Sequence, residues 1–166
     1  MARDDIKVRW VRTGDAKRLE TFYAGLSDDN RAARFHGACR GINHSQAEHF
    51  SAADHRLRDG FIAERGGQVV GHLVLEPVSP GVEELGVAVA DDVQHHGVGS
   101  LLMAAAVASA RVRGVGRLVA WIRPDNEAMR RLFTGTSHRA VLLGWDGFDA
   151  HYELQVPPAT PMAHAA

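Results

Sequence analysis

Residues 6–12 alternate apolar and polar side chains, the period of a strand with one buried face. Thr13-Gly14-Asp15 then supplies a turn and a helix cap. Leu19, Phe22, Tyr23 and Leu26 recur at helical spacing over 16–26. Shorter helices are predicted over 30–35, after Ser27-Asp28-Asp29, and over 44–53, with a loop at 36–43. Runs 60–64 and 68–75 predict a hairpin turning at Arg65-Gly66-Gly67. Residues 77–81 break the sheet before a strand over 84–90. A long helix is predicted over 98–113, with Val98, Leu101, Leu102, Ala105, Ala108, Ser109 and Val112 inward. Glycine at 114 suits the position just past its last turn. A strand over 117–122, a helix opened by Pro124-Asp125-Asn126 and running to Phe133, and strands over 140–143 and 151–156 joined through 144–147 complete the pattern. Strand, glycine turn, long helix and strand form a βαβ crossover, and no repeat or linker interrupts the order. The pattern predicts one α/β domain over 6–156, followed by a disordered tail over 157–166.

Composition narrows the function classes. A length of 166 residues, 45% hydrophobic and 23% charged, fits one globular domain with its own core. The formal net charge of −1 gives no reason to expect nucleic acid as a partner. One cysteine, Cys39, excludes an internal disulfide and a cysteine-rich metal site; it reads as a structural thiol. Ten histidines invite a metal, but His95 and His96 are adjacent and no H-x-x-x-H or H-E-x-x-H occurs, so no metal is expected. The longest apolar run, near 101–110, is far short of the roughly 20 residues that span a bilayer. Acids at the N-terminus stand where a signal peptide has its apolar core. A soluble, cytoplasmic protein is expected, with no membrane partner.

The chemistry concentrates in Gln94-His95-His96-Gly97-Val98-Gly99-Ser100, between an apolar strand and a strongly periodic helix. Phosphate oxygens need several donors converging on a small volume. Backbone N–H groups at a helix start supply them, and the helix dipole adds partial positive charge. Glycine serves where the backbone must come close to the ligand. No G-K-[ST] follows, so this is not a Walker A loop, and the third glycine of a dinucleotide fingerprint is missing. A nucleotide-bearing thioester fits better than either.

At these residues the chain resembles the GNAT superfamily of N-acetyltransferases. Gln94-x-x-Gly97-x-Gly99 is similar to its acetyl-CoA signature. Residues 84–93 resemble the strand that leads into it, and Asn126-x-x-Met129-x-x-Leu132-Phe133 resembles the later N-x-x-A-x-x-L-Y helix. Leu26-Ser27-x-x-x-Arg31-x-x-Arg34-Phe35 and Asp54-His55-Arg56 are similar to segments of bacterial protein lysine acetyltransferases of the Pat kind. The resemblance implies a single GNAT-like domain, a mixed central sheet of six to seven strands with helices on both faces. It implies acetyl-CoA as co-substrate, its pyrophosphate held by the amides of His95, His96, Gly97, Val98, Gly99 and Ser100. Ala88, Val89 and Ala90 would pair with the pantetheine arm where the strand splays from 117–122. Val87 to Val89 would offer an oxyanion amide. Asn126, Met129 and Phe133 would also border the cofactor, and Arg130 or Arg131 would meet the 3′-phosphate.

Attack on a thioester requires a neutral amine, whereas a lysine has a reference pKa near 10.4, so a base must take a proton. Glu84, ten residues before Gln94, matches the position of the catalytic glutamate in the Pat-like group. Glu84, Gly86 and Ala88 share one strand face, whose small members leave room for an acceptor. Arg31, Arg34 and His36 are candidates to shape the acceptor entrance. Phe133 stands where the family often has a proton-donating tyrosine, and neither Tyr23 nor Tyr152 matches the motif, which leaves the general acid unassigned. The expected function is acetyl transfer to a primary amine, a protein lysine ahead of a small amine. An acyl-CoA-binding sensor with little catalysis and a small-molecule amine acetyltransferase stay open as alternatives.

Overall fold

A computed structural model describes residues 5–37, 40–135 and 139–158. Cys39 and residues 159–166 of the expected tail lie outside the described residues. In chain order the elements are β1 Lys7–Trp10, α1 Ala16–Ala24, α2 Asp28–Phe35, α3 His44–Ser51, β2 Asp59–Arg65, β3 Gln68–Ser79 and β4 Val82–Val89. After a 3-10 turn at Asp91–Val93 come α4 Val98–Arg113, β5 Arg117–Ile122, α5 Glu127–Thr134, β6 Ala140–Asp146 and β7 Asp149–Gln155. Seven strands form one mixed sheet in the order β1-β2-β3-β4-β5-β7-β6. Only the β4–β5 pair is parallel, and α4 is its crossover.

Both sheet faces are covered. On one, α4 and α5 bury Leu102, Met103, Ala106 and Phe133 against Leu73, Leu75, Leu118 and Leu154. On the other, α1 brings Leu19, Phe22 and Tyr23 against Val11, Ile62 and Ala88. Ser27 caps α2 by accepting from the Asn30 N–H, and Asn43 with Gln46 forms a reciprocal capping box on α3.

The structure corrects the expected face of α4. Its buried residues are Val98, Leu102, Met103, Ala106, Val107 and Ala110, while Val112 is 84% exposed. The helix is apolar or small on nearly every side, so spacing alone does not fix its phase. The expected break at Pro77 is also absent, as β3 runs on to Ser79. β2 stops pairing at Asp59↔Leu75, so the proline's missing donor falls on an edge with no neighbour. The closing hairpin turns at 147–148 instead of 144–147, with Gly144 absorbed as an irregularity inside β6.

Candidate functional site

The sheet opens at its centre. β4 and β5 pair only at Val82↔Arg117, Glu83↔Leu118 and Glu84↔Val119. Beyond that vertex β4 follows β3 as far as Val89, and β5 follows β7 as far as Ile122. The Ala90 amide donates to the Val70 carbonyl at 2.9 Å. Alternation along the strand then directs the polar groups of Gly86 and Ala88 toward β3 and those of Val87 and Val89 into the gap. Among the expected pantetheine partners, Ala88 and Ala90 therefore spend their amides inside the sheet. Val87 and Val89 present theirs to the opening.

A cleft of about 800 Å³ fills this gap, with Val87 and Val89 on one wall, Asn126, Met129 and Leu132 on another, and Asn30 and Arg34 from α2 above. The Val89 carbonyl accepts from Asn30 Nδ2 at 2.7 Å and Gln94 Nε2 at 3.3 Å. At the floor the chain reverses through His95 and Gly97, with φ of 62° and 84°. Gly97 is the N-cap of α4 and carries no capping side chain; the first helical bond runs from the Leu101 N–H to its carbonyl. The amides of Val98, Gly99 and Ser100 therefore have no intrahelical acceptor at the cleft wall. Gln94 and His95 line the same wall. His96 does not, and its Nδ1 lies 2.7 Å from the Gln94 carbonyl. Asp91 braces the turn against α2, accepting from the Ser27 hydroxyl at 2.6 Å and its N–H at 2.9 Å. Burial alone would raise the Asp91 pKa, but the Ser27 bonds outweigh it and hold the carboxyl below its ordinary value.

Other expected site residues are scattered. Asn126 borders the cleft, but its side-chain oxygen caps α5 by accepting from the Met129 N–H at 3.0 Å. Arg131 borders it also, paired with Glu127 at 2.6 Å; Arg130 does not. Phe133 is fully buried behind the wall, edge-on to Tyr152 at 6.3 Å, and neither ring lines the cleft. Glu84 is exposed at the vertex, opposite Glu76 on β3, outside the cleft lining. Its neighbour Glu83 points to the opposite face, where Arg113 grips its carboxylate, with one contact at 2.7 Å. That pairing separates the two glutamates: Glu83 is committed to the fold, and Glu84 is open to solvent.

Beneath the α2 face lies a polar cluster that no sequence signal marks. Tyr23 Oη and His72 Nδ1 are 2.8 Å apart, both side chains fully buried, and His72 Nε2 has no partner. Burial first, and the Arg34 charge second, lower the His72 pKa to about 3, so the ring is neutral; burial raises that of Tyr23. At the far end of α2, His36 Nδ1 meets Asp149 Oδ2 at 2.9 Å, tying the helix to the β6–β7 hairpin. Among the described residues no group of three or more His, Cys, Asp or Glu is placed to hold a metal, and no helix is long and apolar enough to cross a membrane.

Set against known proteins, residues 19–135 match the model of the acetyltransferase (GNAT) family. No curated protein matches the chain. Among solved structures, the GNAT domain of S. lividans PAT is 25% identical, with a TM-score of 0.83 over 90% of both chains. yncA of Salmonella typhimurium, solved with its cofactor acetyl-CoA, is 20% identical, with a TM-score of 0.73 over 96% of this chain and 99% of that one. A cAMP-binding acyltransferase from Mycobacterium smegmatis is 25% identical, with a TM-score of 0.60. It is matched over 92% of this chain and 44% of its own length.

Proposed function

The chain belongs to the acetyltransferase (GNAT) family, which makes it an acyltransferase, and from that premise we propose that it moves the acetyl group of acetyl-CoA to a protein lysine. The observation that carries this reading is the sheet opened beyond Glu84↔Val119, with the uncapped start of α4 lining the same cleft. An elongated thioester with a pyrophosphate fits that shape. The free amides at the start of α4 suit the phosphates, and the amide of Val89, whose carbonyl is taken by Asn30 and Gln94, with the polar groups of Val87 suits an extended arm running beside β4. The acetyl-CoA held by yncA supports the choice of donor. The segment 26–35, which resembles Pat-type lysine acetyltransferases, and the likeness to the GNAT domain of S. lividans PAT support the choice of acceptor.

In this reading Glu84 takes the proton from the attacking amine, directly or through water. It sits where β4 and β5 part, on the same strand face as Gly86 and Ala88, with its carboxylate free in solvent. The Val87 amide, facing the gap beyond the vertex, is the donor for the oxyanion. Glu84→Gln tests the assignment. CoA affinity measured by calorimetry is expected to hold while kcat/KM falls about 100-fold and loses its acid limb. Unchanged turnover across pH would remove Glu84 from the mechanism.

A further inference from the structure

Arg34 rises from α2 to the acceptor side of β4, and the strand is shaped to receive it. A Cβ added at Gly86 would lie 2.5 Å from its Cζ, so the guanidinium rests directly on the Gly86 backbone, next in sequence to the Val87 amide that faces the gap. Glycine permits this close approach, and a side chain here would push the end of Arg34 off the strand. The guanidinium lies 5.0 Å from the Phe35 ring and 6.0 Å from that of Phe50. It also sits near enough to the Tyr23 oxygen to favour its ionisation. Its Nε is sealed from solvent without an acceptor, and the side chain makes no ion pair among the described residues. Arg9, Arg18 and Arg113, by contrast, are paired with carboxylates. It is a half-buried cation packed against aromatic rings on the wall of the cleft, and its polar neighbour there is the Tyr23 phenol, not a carboxylate.

We propose that Arg34 supplies the positive charge that stabilises the anion formed in acyl transfer, so that the departing thiolate leaves without a proton donor at the position of Phe133. The step rests on the acetyl transfer proposed above. The amine nitrogen bonds to the thioester carbonyl carbon, and the Val87 amide and Arg34 share the negative charge that gathers on the oxygen. The nitrogen's proton passes to Glu84. The carbonyl re-forms, the carbon–sulfur bond breaks with its electron pair on sulfur, and the thiolate departs beside Arg34 to be protonated by solvent. No oxidant or reductant takes part. The ionisable groups around this point are Tyr23 on α1, His72 on β3, Glu84 on β4, and Asp29, Asp91 and His95 on the cleft wall; Arg123 and Arg131, farther along that wall, are paired with Asp125 and Glu127. Tyr23 and His72 are held neutral by burial, which leaves Arg34 as the cation next to the vertex.

Free coenzyme A is the probe, because its thiol reports on the site with no acceptor present. The full chain and the variants Arg34→Lys and Arg34→Met are loaded with coenzyme A, and the thiol is titrated through the ultraviolet absorbance of its thiolate. Relative to Arg34→Met, the wild type is expected to hold about tenfold more of the bound thiol as thiolate at a given pH, a pKa about one unit lower. Arg34→Lys is expected to keep at least half of that difference. A merely structural arginine would leave the thiol pKa equal in all three proteins, and that result overturns the proposal. Thermal melts and coenzyme A affinity at a pH where the thiol is protonated show whether the variants are folded. If Arg34→Met does not fold, the comparison of wild type with Arg34→Lys and with free coenzyme A decides, and a bound wild-type pKa no lower than that of free coenzyme A again overturns it. Failure of the wild type to bind coenzyme A is a separate outcome, because it strikes the donor assignment itself.

Discussion

His72 makes acid sensitivity a test of the cluster beneath α2. Its ring is fully buried, bonded to Tyr23 and neutral, with a pKa lowered to about 3 by burial and then by the Arg34 charge. In the unfolded chain the ring titrates near 6.5. Below that pH the unfolded state binds a proton that the native state refuses, so the contribution is complete above about pH 6.5 and is lost as pH falls toward 3. The slope approaches about 1.4 kcal/mol per pH unit below about pH 5.5, which sums to about 2 kcal/mol between pH 6.5 and 4.5. Asp15 and Asp54, both lowered to about 2, add their own losses chiefly below that range. Urea unfolding followed by circular dichroism, at pH steps from 7 to 4.5, measures the slope. His72→Phe keeps the ring volume and removes the titration. It is expected to be less stable at pH 7 by about 1–2 kcal/mol, since Tyr23 loses its partner, and to show a much flatter acid limb. Parallel losses in wild type and variant would refute the account of a buried neutral His72.

Three more substitutions separate scaffold from site. Glu83→Gln strips the buried Arg113 of its main partner and is expected to cost about 3 kcal/mol in urea unfolding while leaving turnover per folded molecule unchanged. Gly97→Ala forces a Cβ into a left-handed conformation at the α4 N-cap; calorimetry should show coenzyme A affinity about tenfold weaker, with about 1 kcal/mol lost from stability. Ser27→Ala removes the cap of α2 and a brace on Asp91 together, and a loss of about 1 kcal/mol is expected in a thermal melt.

What the sequence discloses follows the range of the interactions involved. The turn from Gln94 to Ser100 is legible because strand, glycine positions and helix lie side by side in the chain, and the fold places that turn at the cleft. The inward face of α4 is only partly so, because Val98–Arg113 carries small or apolar residues almost all the way round: Leu101 and Ala105 do pack against the core, but only the sheet beneath it selects Met103 and Ala106 over Ala108 and Val112. Pro77 reads as a break because its tolerance depends on where β2 ends. Neither Tyr23 against His72 nor Arg34 over Gly86 leaves a local pattern, since each joins residues about 50 positions apart through the packing of helices on the sheet. The two adjacent glutamates are different: spacing from Gln94 singles out Glu84, while the commitment of Glu83 to Arg113 shows only in the packing.

Acetyl transfer itself offers the most direct test. The full chain is incubated with acetyl-CoA labelled in the acetyl group and a cell lysate, and the label is then sought in protein and in small molecules. Label is expected on protein lysines, entering about 100-fold more slowly with Glu84→Gln. Binding of coenzyme A with no label entering either fraction would contradict it.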